Sequence, residues 1–573
     1  MKVISLASKV FALVFFTLFL AKTTNAANDY QFSIDYSVNY TVLETGETSV
    51  SQKTIITNLV NEVIPTTYTF SAKQMKIYNV SAETNGKSSV VKTEETKGDT
   101  LISVTISNYF IGKGRQNEIN LKYITRSIAQ KNGNIWNINI PKIQVPETTT
   151  LYDVHLSIPA SFGPKIYLSP TPITEKREGN TISFSFNKGV FTTSSITAAF
   201  GEYQPVNFKL KYQLNNSFVL PLLKEIALPP DINDAQEVSY QSISPKPLTM
   251  KTDKDGNTIA IYILSPLKKL EIEVIGTAKL FGKQINPEFG KNFTDLPKNL
   301  VNMYTKPRKY WESDSTNVEK VAKELKDEKS NVIKNAQKIY NFITNNLTYN
   351  FEASQKGLVE RQGAETILST KGSWTCMEFT DLFIAVARAM GIPAREVNGY
   401  AFTENENNRP LSISLKGGDF LHAWPEFYDS YYGWIQIDPT WGTTSGVDYF
   451  TKLDMSHFAF VIKGLSSEYP FSAGTYRFSN NGNEKLIDVA LSQSISEDNF
   501  KPKLSVTKAF NWNPLQLILG KEKYRVENKG GITLYNLVGK TLNPGISKNI
   551  YLGKETREIQ YTDIRGNNYK VQL

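Results

Sequence analysis

The sequence predicts a multidomain, strand-dominated protein with one α+β module set between all-β, sandwich-like regions. Three observations predict it. The chain has 573 residues, more than one hydrophobic core organises, so several domains are expected. Aromatics make up 12% of it, led by 29 Tyr and 31 Phe, a composition that with abundant Val, Ile and Thr favours strands. Apolar and polar residues alternate over most of the chain, and a helical period of three to four emerges only after about residue 290.

Taken in order, residues 1–26 read as a secretory leader. Lys2 and Lys9 give a basic start, Val10 to Ala21 is apolar, and Thr24-Asn25-Ala26 offers a small-residue cleavage site. The apolar run is short of the roughly 20 residues a spanning helix needs. The expected location is secreted or extracytoplasmic, with cell-surface association open and no membrane span after cleavage. Residues 27–205 read as a β-sandwich-like domain. Phe32, Ile34, Tyr36, Val38, Tyr40 and Val42 fall on one face, and the pattern recurs at Ile119/Leu121/Tyr123, Tyr152/Val154/Leu156/Ile158 and Ile182/Phe184/Phe186. Residues 206–289 continue in strands, as Phe208/Leu210/Tyr212/Leu214 and Leu270/Ile272/Val274. Residues 290–465 form the α+β module: helix from Thr316 to Asn345, a short strand at Leu347 to Phe351, a helix starting near Cys376, then strands from Ala394 to Asp438. Residues 466–573 return to strands as a C-terminal sandwich-like domain.

The formal charge is +9, with Lys and acidic residues interspersed and no concentrated basic block, so nucleic acid is not expected as a partner. The chain has one cysteine, Cys376, which excludes an internal disulfide and a multi-cysteine metal site. No His/Cys cluster and no calcium-loop pattern is visible, so neither metal nor other cofactor is expected.

Cys376 sits at a legible helix start. Thr375, three residues before Glu378, fits a capping box, which makes Cys376 the first helical residue; Gly391 and Pro393 mark the stop. The free N–H groups and the positive dipole end of a first turn favour thiolate over thiol, and the same N–H groups can stabilise an oxyanion on an attacked carbonyl. Of the three histidines, His155 falls on the outer face of an alternating strand. His457 lies past the strands with no acidic partner at a telling spacing, and reads as structural. His422 opens a strand-like run to Asp429, and a turn leads into Trp434 to Asp438. Pairing Tyr428 with Trp434 makes His422 and Asp438 diagonal neighbours, so the carboxylate could fix the imidazole that takes the thiol proton.

Four stretches, Cys376-Met-Glu-Phe, Gly391-Ile-Pro-Ala-Arg395-Glu-Val-Asn-Gly-Tyr400, His422-Ala-Trp-Pro-Glu-Phe-Tyr and Gly433-Trp-Ile-Gln-Ile-Asp438-Pro-Thr-Trp441, resemble the successive motifs of the transglutaminase-like superfamily. The resemblance covers about 300 to 462. It implies a papain-like fold for the α+β module and a catalytic triad of Cys376, His422 and Asp438. One departure is Trp374, which stands where members often have glycine; it could line the cleft or donate to the oxyanion. Gln362 is a second candidate oxyanion donor. Arg395 is expected to pair with a neighbouring acid, and Trp424, Trp434 and Trp441 to be core.

The implied function is that of an exported thiol enzyme acting on amide bonds of protein or peptide substrates through a thioester. Resolution by water makes it a cysteine peptidase or amidase, and resolution by an amine makes it an acyltransferase. The alternative is a non-catalytic envelope adhesion or scaffold protein with a vestigial domain of this kind.

Overall fold

The computed structural model describes residues 30–573 apart from 73–74, 97–98, 142–146, 192–194, 357–359, 402–412, 416–417, 446–447 and 480–482. The leader at 1–26 therefore lies outside the described residues. Among the described residues, no helix is long and apolar enough to cross a membrane.

The N-terminal region is built on an eight-stranded sheet centred on Phe32–Val42 and Thr48–Asn58. Period-two alternation puts Val38, Leu121, Val154, Leu156 and Phe184 into one core, while their polar neighbours face out. Phe32–Val42 pairs antiparallel with Thr48–Asn58 but parallel with Tyr152–Pro159. The middle region pairs Gln204–Asn215 with Lys269–Leu280 over twelve positions, from Gln204 opposite Leu280 to Asn215 opposite Lys269. The strand Ile487–Leu491, beyond the core, returns to pair with Gln204–Asn215. The C-terminal region packs a three-stranded sheet and a four-stranded sheet around Val526, Leu534 and Leu542.

The α+β core departs from the sequence reading in two places. The helix expected from Thr316 to Asn345 is two helices, Thr316–Leu325 and Val332–Asn346. The break is polar: Asn331 caps the second helix by accepting from Lys334 N at 2.9 Å, and the buried Asn335 amide bonds Asp327 on both its N–H and C=O. The strand expected at Leu347 to Phe351 is only Thr348–Tyr349, because Asn350 caps a short helix at Phe351–Gln355.

The core sheet runs in the order Ile413–Ser414, Phe420–Asp429, Ala394–Ala401, His457–Lys463, with Gly433–Gln436 pairing the end of the second strand. The helix Cys376–Ala389 packs on it, with Phe383 against Phe427. The outer strand His457–Lys463 would expose an unpaired edge, but the middle region closes it. Gln236 accepts from Ala459 N at 2.9 Å and donates to Ala459 O at 3.0 Å; Asn257 does the same for Ile462 at 2.7 Å and 2.7 Å. Two side-chain amides thus stand in for the missing strand.

Candidate active site

The cysteine is placed by the local code the sequence spells. Thr375 is the N-cap of Cys376–Ala389, its backbone N–H donates to Glu378 Oε2 at 3.0 Å, and its hydroxyl bonds the same oxygen at 2.6 Å. Cys376 is the first helical residue, as expected. The box uses the N–H of Glu378, leaving those of Cys376 and Met377 at the helix mouth beside the sulfur. The sulfur is fully buried, in contact with Ile413 and Ala423 and flanked by Met377.

The histidine comes from the neighbouring strand. Tyr428 pairs with Trp434 and Glu426 with Gln436, the register expected. The ladder ends at Gln436 because Pro439 opens a helix, Pro439–Ser445, so Thr440 is not a strand partner of His422. Asp438 nevertheless reaches the ring: His422 Nε2 donates to Asp438 Oδ2 at 2.9 Å. The other carboxylate oxygen accepts from Trp441 N at 2.9 Å. His422 Nδ1 has no hydrogen-bond partner among the described residues, and Cys376 lies near enough to act on the ring's ionisation. Burial alone would make the His422 ring less basic; Asp438 and Cys376 outweigh it and raise the ring to about 9. Asp438 is held well below the usual carboxylate range, because the two imidazoles it touches overcome its own burial.

The second of those imidazoles is His457, whose place the sequence reading misjudged. It opens a strand rather than following the strands, and it has two acidic partners. Its Nδ1 bonds Asp454 Oδ1 at 2.9 Å and its Nε2 bonds Asp438 Oδ2 at 3.1 Å. A carboxylate only accepts, so a ring held between two ionised carboxylates donates from both nitrogens and is the imidazolium. Burial opposes this, but Asp454 and Asp438 lift the ring to about 9. Asp454-Met-Ser-His457 carried the signal, an acid three residues before the histidine, but its second partner is distant in the chain. His422 and His457 also share a sheet face: His422 pairs with Gly399 and His457 with Ala401. The strands are tight here, for a Cβ on Gly399 would lie 2.0 Å from Phe458 O.

One ring nitrogen each of His422 and His457 and one Asp438 carboxylate oxygen lie within 4.8 Å of one another, a set that could in principle ligate an ion. Direct contacts at 2.9 and 3.1 Å between each Nε2 and the same oxygen are instead those of shared protons, which a metal would have to displace. Trp424 and Trp441 are fully buried and wall the cluster, with Trp441 ring centroids 5.6 Å from His422 and 4.5 Å from His457. Arg395 pairs with Glu426, as expected, and stacks 3.7 Å over the Trp434 ring.

Neither proposed oxyanion donor is aimed at the sulfur through a hydrogen bond. Gln362 is exposed and its amide donates to Glu360 O at 2.9 Å. Trp374 is half-buried on the two-residue strand Ser373–Trp374, packed against the helical core. A residue the sequence reading did not single out lies near enough to Cys376 for the two to affect each other's charge. Tyr349, paired alongside Trp374, has its ionisation pushed up by burial and then by the neighbouring Cys376, so its phenol stays protonated beside the thiol. Its only sequence signal is its place in the short strand. His155 lies on the outer face, as expected, bonded to Ser185 Oγ at 3.0 Å.

Residues 319–439 match the family model described as transglutaminase-like superfamily, a span that includes Cys376, His422 and Asp438 but ends before His457. A Bacillus subtilis protein named "Uncharacterized protein YebA" is 35% identical over 81 residues, which is 14% of this chain and 11% of that protein. The matched stretch thus spans about a tenth of that relative's length. A candidate cysteine protease from Cytophaga hutchinsonii is similar in structure at 19% identity and a TM-score of 0.32, covering 51% of this chain and 99% of that one. A candidate protease from Parabacteroides distasonis covers 76% of this chain and 72% of its own at 11% identity and a TM-score of 0.20. Neither likeness in structure reaches a score that defines a common fold, and the family match is confined to residues 319–439.

Proposed function

We propose that the transglutaminase-like core at 319–439 works as a thiol enzyme on amide bonds, with Cys376 as nucleophile, His422 as base and acid, and Asp438 as the group that holds the ring. The observation that carries this is the orientation of His422. Its Nε2 is fixed on Asp438 at 2.9 Å, which leaves Nδ1 for the thiol at the helix mouth.

In this reading His422 Nδ1 already holds the proton of the Cys376 thiol as an ion pair, and the thiolate attacks the carbonyl carbon of a bound amide. The oxygen takes the negative charge beside the N–H groups of Cys376 and Met377, with the Tyr349 hydroxyl as a further donor. The intermediate collapses with loss of the amine, which receives the proton from His422, and leaves a thioester. Water or an amine then adds, again deprotonated by His422, and the thiol is released. Hydrolysis is favoured, since water needs no second binding site. His457 acts as a positioning residue: a fixed cation behind Asp438 that keeps this carboxylate ionised. Because the sulfur is fully buried, turnover requires Met377 and Ile413 to give way to the substrate.

The protein is placed outside the cytoplasm on the composition of residues 1–26, which N-terminal sequencing of the exported protein checks. For the activity, wild type and Cys376→Ala are each incubated with a peptide library and with a glutamine-donor and amine pair, and products are read by mass. Products that require Cys376 support the enzyme, and their masses separate hydrolysis from transfer. The same burial favours a second reading, an inert scaffold, in which the two proteins behave alike and the thiol resists alkylation.

A further inference from the structure

The connection between the paired strands Leu504–Ala509 and Lys521–Asn528 is long for a hairpin, uncharged and mostly apolar. It presents Phe510, Trp512, Leu515, Leu517, Ile518 and Leu519, all exposed, with Trp512 at 80% and Ile518 at 83%. None of the six belongs to the core of the C-terminal region. The segment is nonetheless built. Asn513 caps its short helix by accepting from Leu515 N at 3.1 Å, Asn511 ties it to Lys521 O at 2.9 Å, and the Phe510 and Trp512 rings lie 4.5 Å apart. Surface apolar residues are ordinarily scattered; six held outward in ten positions mark an interaction site.

A basic collar surrounds the tip. Lys508, Lys521 and Lys523 stand where the strands leave it, and Lys554 follows Gly553, the partner of Lys521 on the next strand. Glu522 is taken by Lys508 at 2.7 Å, which leaves Lys521, Lys523 and Lys554 with Glu555 beside them in the sequence. Trp and Phe at the apex with lysines behind them is the chemistry of a bilayer interface: rings and aliphatics enter the acyl boundary while the ammonium groups meet anionic headgroups. A second copy of the chain fits less well. The cavity of about 650 Å³ between the middle and C-terminal regions has a mixed lining, in which Lys246, Lys503 and Lys529 stand beside Tyr240, Ile243 and Ile546, and lysines of its own would meet the basic collar of the tip.

We propose that the C-terminal region docks on an anionic lipid bilayer by inserting the Phe510–Leu519 tip. The proposal is independent of the catalytic reading, so Cys376→Ala binds as wild type. The full chain is floated with phosphatidylglycerol/phosphatidylcholine vesicles and with phosphatidylcholine alone, at low and high salt. Wild type should float with the anionic vesicles. W512S/L515S/I518S should bind at least tenfold more weakly. K521Q/K523Q/K554Q should bind several-fold more weakly and lose most of the salt dependence. The control F218S/V219S/L220S, which strips another exposed apolar strip, should bind as wild type. Circular dichroism checks that each variant is folded; if the tip variant is not, the collar variant decides. The proposal is overturned if wild type does not float, or if the tip variant floats equally well. It also falls if light scattering shows a dimer that the tip variant abolishes, since the tip is then a contact between copies.

Discussion

The N-terminal sheet and the α+β core bury their interiors in opposite ways. The first fills its centre with Val38, Leu121, Val154 and Phe184, and needs only alternation to do so. The second buries Glu378, Asp381, Arg388, Glu396, His422, Glu426, Asp438 and His457 alongside its apolar groups. Six of these charges are paired: Arg361 bridges Asp381 and Glu396, Arg395 holds Glu426, and Asp438 holds both imidazoles; Glu378 instead accepts from Thr375, and Arg388 donates to backbone carbonyls. Buried ion pairs contribute little net stability compared with apolar packing. Their concentration in one module therefore points to chemistry rather than to stability.

That contrast can be tested by substitution. The largest effect is expected from Cys376→Ala, which should lower turnover roughly 10³-fold or more while leaving the melting temperature nearly unchanged. A loss below tenfold would remove Cys376 from the mechanism. Asp438→Asn should lower kcat by roughly 10²–10⁴-fold. It should also move the alkaline limb of the rate profile, set by His422 near pH 9, to lower pH, because the carboxylate that raises the ring is gone. In the N-terminal sheet the opposite division is expected. Leu121→Ala should cost about 2–5 kcal/mol of stability, read by denaturant unfolding, with kcat per folded molecule unaltered.

A smaller effect distinguishes the two histidines. His457→Gln keeps a donor for Asp438 but removes the cation. About a tenfold fall in kcat is expected, with the alkaline limb moving up, opposite to Asp438→Asn, since His422 no longer competes with a second charge for the same oxygen. A merely structural role for His457 would leave the limb in place. The smallest expected effect is on stability against pH. Both rings are raised to about 9 in the fold from about 6.5 unfolded. Their stabilisation is fully present below pH 6.5 and is lost as pH rises through 9. The melting temperature should fall over that window by a few degrees, less so in His457→Gln, and calorimetry reads it.

What was legible in the sequence was local. The capping box placed Cys376, alternation chose the buried faces, and the turn after Asp429 fixed Tyr428 opposite Trp434. What was not legible depended on groups far apart in the chain. The parallel pairing of Phe32–Val42 with Tyr152–Pro159 has no local signature. The second partner of His457 lies nineteen residues back, and Gln236 and Asn257 look like any polar residues until they meet the edge strand. The helix between Thr316 and Asn345 broke because Asn335 satisfies the backbone of Asp327, a competition that apolar spacing does not register.

The close approach at Gly399 has a consequence for how this pocket can vary. Its strand is the spacer between the two that carry the imidazoles. The gauge between those rings is therefore set by main chain, through a residue reduced to a hydrogen. A methyl at this point would act as a wedge, prying Phe458 away and stretching the 3.1 Å link from His457 before it disturbed the 2.9 Å link from His422. Alanine there should yield a protein that keeps the contact between His422 and Asp438 and loses the one from His457.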